Sequence, residues 1–145
     1  MGSSRLASCA IILVSADIEA TVRYYRDVLG FRVVEHYEQP EKFAALYRDG
    51  VEIVLVQAQF GSVQPNRAQY GAGYDVYLVP ASPAAVDDFY MEIRAKGAHI
   101  LRPPAMTAYG SREFVFEDVD GRLVGVGHIE YEDTFFGGAS ARASA

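Results

Sequence analysis

The feature that most constrains the fold of this chain is an internal repeat. Twice the sequence runs through an apolar strand, a capped helix closed by glycine, and three further strands, the last two joined across an Asp-Gly pair. In the first copy the run 9–14 is a buried strand, and Asp17 stands where an N-cap accepts orphan amide protons. Ile18, Val22, Tyr25, Val28 and Leu29 then recur at helical spacing, and Gly30 ends the helix. Strands are predicted over 31–37, Phe43–Arg48 and Val51–Gln57, divided by Gln39-Pro40 and by Asp49-Gly50, a hairpin signal.

The second copy repeats the order. A strand over 74–79 precedes Ser82-Pro83, an N-cap with proline at the first helical position. Val86, Phe89, Tyr90 and Ile93 share a helical face, Gly97 ends it, and strands follow over 99–102, 113–117 and Leu123–Ile129, with Asp120-Gly121 as the last turn. Tyr24-Tyr25 and Phe89-Tyr90 precede the matched glycines. Arg48-Asp49-Gly50 likewise matches Val119-Asp120-Gly121. The expected architecture is α+β: two tandem βαβββ modules, 6–60 and 72–131, a Gly-, Gln-, Asn- and Pro-containing linker over 61–73, and a loose tail over 132–145.

Charge and cysteine content narrow the function classes. A net charge of −6 with scattered arginines argues against nucleic acid, which needs clustered cations. The longest apolar run, 7–14, is far short of the roughly 20 residues of a spanning helix. A single cysteine, Cys9, excludes an intramolecular disulfide and suits a reducing compartment, and the polar start over 1–5 shows no secretory pattern. The expectation is a cytoplasmic protein with no membrane or nucleic-acid partner.

Specific residues then point to a family. The segment from Asp17 through Tyr24-Tyr25 to Leu29-Gly30-Phe31 resembles the first-helix signature of the vicinal oxygen chelate superfamily, which holds glyoxalase I, extradiol dioxygenases, fosfomycin resistance enzymes and bleomycin-binding proteins. Tyr109-Gly-Ser-Arg112-Glu-Phe114, with Asp118, Asp120 and Gly121, is similar to its final hairpin, although proline is more usual where Val119 stands. The resemblance implies a cup-shaped, partly closed mixed sheet with helices outside, and a homodimer. It does not imply a reaction.

Metal-dependent relatives place His or Glu at four inward strand positions, since imidazole and carboxylate hold a divalent ion while leaving sites open for substrate oxygens. Carried over from the resemblance, those positions are Ala10, Val54, Tyr74 and Gly125, none a usual ligand. Glu52 and His128 are the weak candidates for displaced ligands. Cys9 in its apolar run, and Gly71-Ala-Gly73 without a following helix and lysine, suggest neither a nucleophile nor a phosphate loop.

What remains suits an organic ligand held without metal or cofactor. The expected ligand-binding residues are Tyr47, Val54, Tyr74, Tyr109, Arg112, Phe114 and Gly125, with Arg112 as a bidentate anchor for an anionic or carbonyl oxygen. The alternative role for Arg112 is an ion pair with Glu113 or Glu117. The reading is a metal-independent, bleomycin-resistance-like protein binding a small, aromatic organic molecule. Its rivals are an enzyme of the same superfamily, either a metal-dependent lyase or dioxygenase or a metal-free isomerase or cyclase, and a dimer whose cup is filled by its own side chains.

Overall fold

The computed structural model describes residues 2, 4–71 and 73–137. Its elements are β1 (Ile11–Ser15), α1 (Ile18–Asp27), β2 (Arg32–His36), β3 (Phe43–Arg48), β4 (Val51–Gln57), a 3-10 turn (Asn66–Ala68), β5 (Tyr74–Leu78), α2 (Pro83–Ala95), β6 (His99–Met106), β7 (Ser111–Glu117), β8 (Leu123–Ile129) and α3 (Glu132–Phe136). The chain forms two units that meet in sequence between Val63 and Gln64.

In the first unit the strand order is β1-β4-β3-β2, with β1 parallel to β4 and the other pairs antiparallel. A parallel pair needs a long crossover, which α1, β2 and β3 supply. The helix is fixed at both ends by side chains. The Asp17 carboxylate accepts from the Ala20 amide at 3.3 Å, and Gln57 Oε1 accepts from the Ile18 amide at 3.0 Å. Arg48 donates to the Leu29 carbonyl at 2.7 Å, and Gly30 turns the chain at φ 76°. Ile18, Val22 and Tyr25 bury against the β3–β4 face that carries Ala44, Leu46, Ile53 and Leu55. Of the alternate residues of those strands, Tyr47, Glu52 and Val54 are only partly covered.

The second unit repeats the plan, in the order β5-β8-β7-β6. Ser82 accepts from the Ala85 amide at 3.1 Å and Pro83 opens α2, whose Val86 and Ile93 are fully buried. Beneath the helix lie Val76, Phe114, Phe116, Val124 and Val126, with the rings of Phe89 and Tyr90 6.2 and 5.3 Å from that of Phe114. The hairpin between β7 and β8 is fixed by a buried ion cluster. Arg122 donates to Asp118 at 3.1 Å and to Asp120 at 3.2 Å, while Asp118 Oδ1 accepts the amides of Asp120 and Arg122.

The α+β class and the duplicated plan match the sequence expectation, with four corrections. The sheets are two open four-stranded mixed sheets, not a partly closed one, because each ends in strands paired on one side only. Strand β6 runs on to Met106 through Pro103-Pro104. Proline is tolerated there because β6 is an edge strand and its register shifts twice, between Ile100 and Arg102 and between Arg102 and Ala105. The expected linker contains ordered structure: Asp75 accepts the Asn66 amide at 2.9 Å, and Asn66 Nδ2 donates to the Tyr74 carbonyl at 3.1 Å. Finally, the expected loose tail begins with α3; residues 138–145 lie outside the described residues.

Candidate functional site

The face of the second sheet opposite α2 is built by alternation. With Phe114, Phe116, Val124 and Val126 committed to the helix side, Ser111, Glu113 and Val115 of β7 and Gly125, Gly127 and Ile129 of β8 must face the other way. The register aligns Tyr77 with Gly125, and Gly127 with Glu113. A 300 Å³ cavity on this face is lined by Tyr74, Tyr77, Val79, Tyr109, Glu113, Gly127, His128, Ile129 and Phe135.

The chemistry centres on Glu113, whose residue surface is only 7% exposed. The Tyr77 phenol donates to its Oε2 at 2.5 Å and the Tyr109 phenol donates to its Oε1 at 2.7 Å. Tyr77 Oη also lies 3.2 Å from Ser111 Oγ. Among the described residues, no lysine, arginine or histidine forms an ion pair with this carboxylate. Burial, reinforced by the bond to Glu113, pushes the Tyr109 phenol up to about 12 and that of Tyr77 well above its ordinary value. Both therefore stay neutral proton donors at physiological pH.

Two glycines make the arrangement possible. A Cβ at Gly127 would overlap the Tyr77 hydroxyl and come within 2.5 Å of Glu113 Cγ. One at Gly125 would lie 2.9 Å from Tyr77 Cδ2 and 3.2 Å from the Tyr74 ring. Tyr77 thus crosses β8 to reach Glu113 on β7. The Tyr74 and Tyr77 rings stand 6.2 Å apart, and Phe135 of α3 meets Tyr109 edge-on at 6.1 Å. At the rim the exposed Arg102 donates to the Tyr74 hydroxyl at 2.7 Å.

Of the residues singled out from sequence, Tyr74 and Tyr109 line this cavity. Arg112 does not. As the neighbour of Glu113 it points to the helix side, where its guanidinium pairs bidentately with Asp87 of α2 at 2.9 and 3.0 Å. The alternative pairing with Glu113 or Glu117 is likewise replaced by Asp87. Phe114 is fully buried in the core beneath α2. Gly125 lies against the Tyr74 and Tyr77 rings. Tyr47 and Val54 stand on the helix-free face of the first unit, Tyr47 beneath the Arg32 guanidinium at 5.1 Å. His128 borders the cavity with Nδ1 2.7 Å from the Ile129 carbonyl, and Glu52 pairs across the sheet with Tyr47.

Sequence reasoning missed Tyr77, Val79, Glu113, Gly127, Ile129 and Phe135. Two signals were available: the two-residue alternation that opposes Glu113 to Phe114, and Gly125-x-Gly127, whose bare positions mark a close approach.

The two-module fold with a cavity on the face of a sheet opposite its long helix defines the class. The chain belongs to the glyoxalase/bleomycin resistance protein/dioxygenase superfamily, whose family model matches residues 5–126. A lactoylglutathione lyase of Haemophilus influenzae is 27% identical over 113 residues, 72% of this chain and 79% of that one. Among solved structures, a glyoxalase/bleomycin resistance protein/dioxygenase from Nocardioides is 26% identical with a TM-score of 0.66, covering 90% of this chain and 88% of that one. A superfamily member from Sphaerobacter thermophilus shares the fold at 20% identity and a TM-score of 0.63, covering 85% and 97%.

A metal of the kind used by some members of this superfamily does not fit the residues present. Ala10, Val54 and Gly125 offer no donor, and the space above Gly125 is filled by the Tyr74 and Tyr77 rings. Among the described residues no three His, Cys, Asp or Glu side chains are grouped to hold an ion.

Proposed function

We propose that this protein binds a small aromatic organic molecule without a metal, as a sequestering or metabolite-binding member of its superfamily. The observation that carries the reading is the cavity walled by Tyr74, Tyr77, Tyr109 and Phe135 around one buried polar group. Such a mixture suits burial of flat apolar surface with orientation set by few polar contacts. Burial of an aromatic face contributes at roughly 25 cal/mol per Å². The test is calorimetric titration with a panel of aromatic antibiotics and metabolites, with and without chelator. Binding that survives chelation supports the reading, and binding that disappears with the metal overturns it.

The homodimer implied by the family remains part of the proposal. The exposed Ile12 and Val14 of the first unit give it apolar surface to cover, and sedimentation equilibrium reports it. A cytoplasmic location is likewise proposed; among the described residues no helix is long and apolar enough to cross a membrane.

A second reading is favoured by Glu113 itself. A buried carboxylate at a cavity wall is a candidate proton acceptor, and its two phenols would hold its position. This is the metal-free isomerase or cyclase alternative, with Glu113 as its proton acceptor. Turnover lost in Glu113→Gln with binding retained identifies it.

A further inference from the structure

The cavity's polar wall carries one sign. Glu113 contributes a negative charge, it is nearly out of solvent, and among the described residues it has no cationic partner. Among the described residues, the hydrogen bonds it accepts come from two phenols, one on each oxygen. A carboxylate has about four lone-pair sites, so about two remain. Tyr77 and Tyr109 have spent their only protons on Glu113 and can offer a ligand only their lone pairs. The Tyr74 hydroxyl accepts from Arg102, whose exposed guanidinium is engaged at the rim and does not reach the carboxylate through any hydrogen bond or ion pair. Around this acceptor group stand four aromatic rings, whose faces carry partial negative charge.

A buried anion satisfied only by neutral donors gains from any positive charge that reaches it, because desolvation raises the value of the pairing. An incoming carboxylate or carbonyl oxygen meets the opposite at Glu113: acceptor facing acceptor. Arg112, the group that would have welcomed such an oxygen, is bound to Asp87 on the far side of the sheet.

We propose that the cavity selects an organic cation, an aromatic or flat apolar body carrying a protonated amine whose N–H groups bond to Glu113 and whose charge lies against the Tyr77, Tyr109 and Phe135 rings. This inference rests on the binding reading above and adds the charge of the ligand.

The test is an NMR titration of protein with labelled tyrosine rings against benzylamine, benzyl alcohol and benzoate near neutral pH. The probes share a ring and differ in charge. Benzylamine, an ammonium ion there, should shift tyrosine resonances assigned to Tyr77 and Tyr109 at concentrations about tenfold below those needed for benzyl alcohol, with benzoate weakest. Glu113→Gln should remove the preference, whereas Arg112→Ala, whose guanidinium pairs with Asp87 on the helix side, should retain it. If benzyl alcohol or benzoate binds as tightly as benzylamine, or if folded Glu113→Gln keeps the preference, the charge assignment fails and the binding reading stands. If no probe moves either resonance at any soluble concentration, the binding reading fails as well. Should Glu113→Gln not fold, the ranking of the three probes on the unaltered protein decides.

Discussion

Tyr77 on β5 donates its phenol proton to Glu113 on β7, 2.5 Å away, although β8 lies between the two strands in the sheet. The bond passes over Gly127, where a side chain would overlap the Tyr77 hydroxyl. Position 127 is therefore part of the site without presenting any group to it.

Replacing Gly127 with alanine should disrupt this crossing. The new methyl group would overlap the Tyr77 hydroxyl and press on Glu113 Cγ, so the pair must separate or the strands must shift. Overpacking of this kind costs about 1–3 kcal/mol. Gly50→Ala, where nothing lies within 4 Å, should change stability by about 0.5 kcal/mol or less. Denaturant unfolding of both variants measures the difference, and equal stabilities would refute the crossing.

The two phenols set an alkaline limit on stability. Their folded pKa values are raised, by burial first and by Glu113 second, above the unfolded value near 10. A raised pKa contributes stability that is present below the unfolded value and is lost as pH climbs through the folded one. For Tyr109 the loss falls between pH 10 and about 12; for Tyr77 it extends higher. Absorbance titration of phenolate should show Tyr109→Phe removing a late step, not one near 10. Loss of an early step instead would mean that the bond to Glu113 is absent in solution.

Arg112 gives a prediction opposite to the one its sequence position suggests. Its guanidinium pairs with Asp87 on the helix side, and the two side chains are 31% and 43% exposed. Such a pair is worth roughly 0–1 kcal/mol. Arg112→Ala should lower stability by no more than that and leave ligand affinity unchanged. Titration of the variant with the ligands that bind the parent checks both points. A loss of tenfold or more in affinity would return Arg112 to the site.

How far sequence reached is clear from these same residues. The repeat, both helix caps and three of the eight strands were legible to the residue, because glycine stops, Asp-Gly turns and apolar periodicity are local signals. Tyr74 and Tyr109 were legible as wall residues. Arg112 and Phe114 were misassigned because a hairpin motif gives position along the chain and not the face of a strand. The face is set by which neighbours the helix buries, and Phe114 and Phe116 commit β7 in that respect. Glu113 escaped notice because its significance lies in partners 36 and 4 residues away. The full length of β6 was hidden by two prolines that only an edge strand accommodates. Phe135 fell within a segment whose composition resembles a loose tail.

The last prediction concerns metal. In this superfamily a carboxylate at the position of Gly125 is one of the expected ligands, so Gly125→Glu is the direct attempt to restore it. The geometry argues that the attempt fails. A Cβ there would sit 2.9 Å from Tyr77 Cδ2 and 3.2 Å from the Tyr74 ring, so the new side chain must first displace both tyrosines. Even then Ala10 and Val54 supply no donor, and one carboxylate with a phenol is a poor substitute for a His and Glu set. Elemental analysis should find well under one equivalent of nickel, zinc, iron or manganese in the parent and in the variant alike, and the variant should be the less stable of the two. A stoichiometric ion that survives dialysis in the parent would overturn the metal-free assignment. One gained only by Gly125→Glu would show that the missing donor at that position, rather than the tyrosine rings, is what keeps metal out.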